Sequence, residues 1–305
     1  MKLTKAYAAA FAVALFATHD VSAQNVRAAS PVDTTPPVEE LNPYSRDTQV
    51  WYRVQPFSKE PGINNPSNPK QGKDITKQLL HFEHIDTGGL IYNSISVTAL
   101  FSNSADPNKG GASGAQEIYA TYRGDISAAN FGYQRISFPG VKDVQFEFGG
   151  DLNAKNTAYA PGRRFLLVGP NFVFDVRGSV NLAIHFAKEW NNNGYLGRTD
   201  SYNPTLNTEL SYTQPLEFTG LPLRLEGVFN VTLPKGTDVA GNKTRTEYYS
   251  YNSFIIDLGE LVKWRPHTLD LFTGVQLWVN KFGLSQKNDG GAFEVAPYVG
   301  IGIHF

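Results

Sequence analysis

No cysteine occurs in the 305 residues, which excludes disulfides and thiolate metal sites. Long apolar runs are lacking too: past the N-terminus nothing approaches the roughly 20 residues that a membrane helix needs. Charge of one sign is also lacking. With 27 Lys+Arg against 28 Asp+Glu the net charge is -1, which gives nucleic acid no electrostatic footing. Methionine appears once, whereas tyrosine (15) and phenylalanine (20) are plentiful. Hydrophobic residues still make up 41% of a chain whose mean hydropathy is -0.30. Apolar residues are therefore abundant but dispersed, as in a soluble β protein or in a transmembrane barrel that hides its hydrophobicity in every second residue.

The N-terminus points to export. Met1, Lys2 and Lys5 form a positive segment, residues 6–17 an apolar core, and Val21-Ser22-Ala23 a small-x-small cleavage site. That is the layout of a secretory signal peptide, so residues 1–23 are set apart and Gln24 is the expected mature start. Residues 24–73 hold Pro31, Pro36, Pro37, Pro43, Pro56, Pro61, Pro66 and Pro69. Proline cannot donate to a strand ladder, so this stretch reads as an extension, a tether in preference to a plug. One interruption, 48–57, has the texture of a strand.

Beyond residue 73 the pattern alternates. In 221–233, Leu221, Leu223, Leu225, Phe229, Val231 and Leu233 alternate with Arg224, Glu226, Asn230 and Thr232. In 179–190, Val180, Leu182, Ile184 and Phe186 oppose Asn181, His185 and Glu189. A period of two means strands with one apolar and one polar face. The same texture marks 77–86, 91–101, 116–127, 143–153, 163–176, 205–217, 245–258, 267–282 and 292–305. These are eleven strands, or twelve with 48–57, and bacterial single-chain barrels have even numbers. In 292–305, Phe293, Val295, Val299, Ile301, Ile303 and Phe305 alternate with small or polar residues. That strand resembles the terminal signal which outer-membrane assembly machinery recognises. The expected fold is thus all-β, a transmembrane antiparallel barrel of about twelve strands over residues 74–305, in the bacterial outer membrane. Trp51, Tyr52, Trp190, Tyr195, Tyr248 and Tyr249 fit its interfacial girdles.

With the apolar residues facing lipid, the polar set faces the lumen. Alternation nominates Glu117, Arg123, Glu147, His185, Glu189, Arg224, Glu226, Glu247, Tyr249, Tyr251, Asp257, Asp270, Gln276 and Asn280. Two readings apply to them. Opposed charges brace the wall of a narrow barrel, or carboxylates and amides bind solute hydroxyls while Tyr119, Tyr249, Tyr251 and Phe272 stack a base. His81, Glu83, His84 and Asp86, with Ser94 and Ser96 downstream, raise a lipid hydrolase as the rival from another class, without a G-x-S-x-G motif. His81 and His84, three apart on a strand, point to opposite faces and suit a metal poorly. A structural barrel with a blocked lumen is the third reading.

The order of several segments points to a family. "LHFEHIDTGG", "EIYATYRGDIS", "GPNFVFDV", "SVNLAIHFAKEWNNNGY", "LNTELSYTQPLEF" and the final "YVGIGIHF" resemble the Tsx-like nucleoside-specific channel-forming outer-membrane proteins over residues 75–305. The resemblance implies a monomeric barrel of about twelve strands with a narrow pore for nucleosides and no cofactor. Thr121 stands where relatives often carry a carboxylate, so acidic contacts are not carried over there. The expected partners are outer-membrane lipids, the assembly machinery through the strand ending in Phe305, and small hydrophilic solutes.

Overall fold

The computed structural model describes residues 46–238 and 241–305. The signal peptide read at 1–23 and the first part of the extension lie outside the described residues. The described residues form fifteen strands: β1 (Arg46–Ser58), β2 (Asn64–Asn65), β3 (Asn68–Gly72), β4 (Ile75–Asp86), β5 (Tyr92–Ser102), β6 (Gln116–Ile126), β7 (Val141–Lys155) and β8 (Arg164–Phe174). They continue as β9 (Ser179–Asn193), β10 (Arg198–Ser201), β11 (Thr205–Pro215), β12 (Leu223–Thr232), β13 (Glu247–Asp257), β14 (Leu269–Val279) and β15 (Phe293–His304).

Twelve of them form one closed antiparallel ring in the order β1-β4-β5-β6-β7-β8-β9-β11-β12-β13-β14-β15. Closure pairs the first strand with the last, from Gln49 opposite His304 to Val54 opposite Val299. β10 extends the β9 hairpin, and β2–β3 is a small hairpin inside the connection between β1 and β4. Closing the ring gives each of its twelve strands a partner on both sides, which is what a sheet needs to cross lipid.

The count of twelve includes β1, so the boundary drawn at residue 74 from proline content falls inside the barrel. Pro56 is accommodated because the β1–β4 register shifts between Gln55 and Ser58, and that irregularity asks no ladder donor of residue 56.

The wall has inverted polarity. On β15, Phe293, Val295, Val299, Ile301 and Ile303 are exposed on the outside, while Glu294, Ala296 and Tyr298 are buried within. On β8, Leu166 and Val168 are exposed and Phe165, Leu167 and Asn171 buried. Large apolar side chains outward and charges inward are stable only with hydrocarbon outside. The barrel therefore belongs to the bacterial outer membrane. Trp51 and Tyr249 do not join an outer girdle: they share the inward parity of Arg53 on β1 and Glu247 on β13, and they pack against lumen groups. Tyr52 and Tyr248 do face outward.

Both described ends of the chain lie at one mouth, with connections as short as 87–91 and 175–178. The 175–178 turn depends on Gly178, whose φ of +72° and approach to Thr213 O exclude a side chain. The connections at the other mouth include 59–74, 103–115, 233–246 and 280–292. Short turns face the periplasm in such barrels, so the second mouth is extracellular.

Candidate functional site

Inward positions on the strands converge on the axis, and the charges brought there are mostly buried, so they are stable only when paired. Three networks run along the lumen. At the extracellular mouth, Glu60 follows β1 and meets Lys77 of β4, Lys155 of β7 at 3.4 Å, and Lys281 beyond β14 at 3.1 Å. Lys155 also reaches Asp106 at 2.7 Å, and Lys281 reaches Glu294 at 3.2 Å. β7 and β14 are six places apart in the ring of twelve, so Glu60 ties opposite walls together across the lumen. Burial alone would raise its carboxyl pKa; the Lys155, Lys281 and Lys77 ammonium groups outweigh that and hold it well below the usual carboxylate range. Elsewhere at this mouth Glu189 accepts from Lys235 at 2.6 Å and from Arg163 at 3.3 Å.

In mid-barrel, Arg123 of β6 donates to Asp151 at 2.9 Å and, four strands round the ring, to Glu209 of β11 at 3.1 Å. Its Nε lies 3.6 Å from Glu147, which in turn contacts His185 Nε2 at 3.0 Å. Asn207 links His185 to Asn230, at 3.2 and 2.8 Å. Toward the periplasm, Arg224 is paired with Asp270, and His304 lies 3.0 Å from Asp270 and 2.9 Å from Asp47.

One side of the lumen is aromatic. Trp51 stacks on His81 at 4.2 Å and meets Phe272 edge-on at 5.8 Å. Tyr249 contacts Trp278 at 4.8 Å and Tyr251 at 6.2 Å. Arg53 lies over Tyr298 at 4.5 Å and donates to Gln276 at 3.1 Å. These groups come from β4, β1, β15, β14 and β13, contiguous in the ring, so they form one strip. Trp51, Tyr249, Tyr251 and Trp278 are half-buried. Phe272 is buried among Trp51, Ile255 and Tyr298 and offers no free face.

The structure places Glu117, Arg123, Glu147, His185, Glu189, Arg224, Glu226, Tyr249, Tyr251 and Asp270 on the inward faces of their strands. It brings Arg123, Glu147 and His185 into one network, leaves Glu189 with Arg163 and Lys235, and sets Arg224, Glu226 and Asp270 at the other end. Three nominated residues do other work. Asp257 accepts from the backbone of Glu260 and His267 and holds the periplasmic turn after β13. Asn280 lies beyond β14 and donates to Thr246 O, outside the strand alternation that nominated it. Glu247 accepts from Trp278 Nε1 at 2.7 Å and from the Phe282 amide.

Sequence reasoning missed Glu60, Asp106, Lys235 and Lys281, which lie in connections where no period marks the inward side. Lys77, Asp151, Lys155 and Glu209 were within reach, since each shares the parity of a nominated or polar neighbour on its strand. Of the hydrolase candidates, Ser94 donates to Glu83 at 3.2 Å, Ser96 shares a hydrogen bond with Thr121, and His81 is engaged with Thr98. The Ser94 hydroxyl is thus aimed at a carboxylate inside the barrel, away from lipid.

No family model and no curated protein matches the chain. Solved structures similar to it include an outer membrane channel from Pseudomonas putida F1, 8% identical over 90% of this chain and 100% of that one, with a TM-score of 0.49. The KdgM porin is 10% identical over 85% and 99% of the two chains, at a TM-score of 0.42. The translocator domain of the autotransporter NalP from Neisseria meningitidis is 12% identical over 87% and 90%, at 0.41.

Proposed function

We propose that the barrel is a narrow outer-membrane channel for passive uptake of small hydrophilic solutes, with nucleosides the favoured class. The observation that carries this reading is the inward face: a half-buried aromatic strip on one wall and paired acids, bases and amides on the rest. Aromatic faces stack a base while carboxylates and amides hydrogen-bond sugar hydroxyls, and a series of weak sites lets solute enter and leave. The cross-lumen contacts of Glu60 and Arg123 set the scale, since a path past them admits only small molecules. A lipid hydrolase has less support, because a nucleophile for lipid belongs on the outer wall and Ser94 is turned inward.

Liposome swelling tests the solute class. Uridine is expected to enter several-fold faster than a sugar of similar mass, and Tyr251→Ala to remove most of that preference, as stacking contributes about 1–3 kcal/mol per base. Equal rates for uridine and the sugar would refute the nucleoside preference.

The assembly machinery is proposed to read β15 and the aromatic residue after it. Phe305 is 79% exposed and is tied to the wall through its amide on Thr48 O. Phe305→Ala is therefore expected to reduce assembled barrel in cells severalfold while leaving the urea unfolding midpoint of refolded barrel unchanged. An unchanged yield in cells would remove Phe305 from the recognition signal.

A further inference from the structure

The network around Glu60 differs from the others in what supplies its acid. Arg123 and Arg224 pair with carboxylates fixed on strands of the ring, whereas Glu60 is carried by the connection 59–74. Three lysines share it: Lys77 on β4, Lys155 at the end of β7 and Lys281 in the turn after β14. Both carboxylate oxygens are used, Oε1 by Lys77 and Lys281 and Oε2 by Lys155. All three lysines are buried, at 5%, 9% and 2% exposure, and Glu60 at 6%.

Glu60 is the acid that the three ammonium groups have in common. Asp106 contacts Lys155 and Glu294 contacts Lys281, while Glu117 acts on Lys77 from farther off. Without Glu60, three desolvated cations lose their shared acid, and Lys77 loses its ion-pair partner. Such a cradle strongly favours an anion over water. The strands would still hold register without it: β4 pairs with β1 and β5, and β7 with β6 and β8, along their full ladders.

We infer that Lys77, Lys155 and Lys281 form a carboxylate-binding site at the extracellular mouth, occupied at rest by Glu60 as a tethered internal ligand and open to the carboxylate of a small organic or sugar acid that displaces it. The inference rests on the channel reading, because a solute must reach the mouth and pass on. It adds an anionic solute class to the neutral one suggested by the aromatic strip, and a means of keeping the mouth narrow when no such solute is present. Lys281 also lies 4.4 Å from the Trp278 ring, so the cradle adjoins the aromatic strip that receives the solute next.

Isothermal titration calorimetry of the refolded full-length barrel in detergent, with glucuronate and with glucose as its uncharged counterpart, tests this directly. Glu60→Gln is expected to bind glucuronate about tenfold more tightly than the wild type, because the internal competitor is gone. Glucose is expected to bind neither, and adding Lys155→Gln to Glu60→Gln is expected to cancel the gain. Glu60→Asp keeps the charge on a shorter arm and gives a smaller gain, which keeps the test available if Glu60→Gln does not fold. Unchanged glucuronate affinity in the folded Glu60 variants, or an equal gain for glucose, would overturn the site. Calorimetry reads occupancy without current, so a barrel that binds glucuronate but stays silent in a bilayer overturns the channel and not the cradle.

Discussion

Arg123→Ala is expected to lower the unfolding free energy of the barrel by about 3–5 kcal/mol, the cost of breaking a buried ion-pair network from one side. The guanidinium reaches Asp151 at 2.9 Å, Glu209 at 3.1 Å and Glu147 at 3.6 Å, and a fourth contact goes to Tyr122 O at 3.0 Å. Removing it leaves three carboxylates facing one another from β7 and β11. Were the site open to bulk water the same pairs would contribute only about 0–1 kcal/mol. The side chain is 17% exposed and Asp151 8%, which places the network near the buried limit. Arg123→Lys keeps the charge but loses the fork that spans two walls, so about half of the loss is expected to remain. Neutralising two of the partners in Arg123→Met/Asp151→Asn/Glu209→Gln is expected to recover most of it, since Glu147 keeps His185 at 3.0 Å and Arg163 keeps Glu189 at 3.3 Å. Urea unfolding in lipid vesicles reads all three. A loss below about 1 kcal/mol for Arg123→Ala would show that water screens the middle of the lumen.

Gly300→Ala carries the second large effect, this time through shape. Gly300 and Gly302 alternate with Val299, Ile301 and Ile303 on β15, and their inward sides face the aromatic strip. A methyl group at Gly300 would lie 2.3 Å from Phe272 Cζ and 2.6 Å from Tyr52 O. The phenyl ring can turn, but the Tyr52 carbonyl belongs to the β1–β15 closure and cannot. Overpacking of this kind costs about 1–3 kcal/mol, and here it strikes the seam that closes the ring. Phe272→Leu added to Gly300→Ala relieves the first clash and not the second, so partial rescue is expected. Full rescue would mean that the seam tolerates the methyl group and that only the aromatic packing was disturbed.

The strands were legible because lipid outside and charge inside impose a period of two on every wall segment. Arg224 and Glu226 between Leu223, Leu225 and Leu233 declare their side without any tertiary knowledge. β1 was harder to place, since its one proline sits at the register irregularity near its end and the flanking prolines colour the whole stretch. Parity also corrects the girdle assignment: Trp51, in the middle of β1, and Tyr249, near the start of β13, alternate with the outward set.

What alternation cannot supply is position around the ring. Arg123 and Glu209 are both readable as inward, yet their meeting depends on ring order and strand stagger, which no local period encodes. Glu60, Lys235 and Lys281 come from connections, where the inward direction follows from loop geometry alone. The extracellular latch was therefore invisible in the sequence, while the wall that it closes was plain.

Single-channel recording of the purified, refolded barrel in a planar bilayer tests the central claim most directly. A narrow lumen crossed by Glu60 and Arg123 predicts small, steady current steps that nucleosides reduce and neutral sugars of similar size do not. A folded barrel that inserts and passes no current would contradict the account, and large steps that neither solute reduces would contradict it equally.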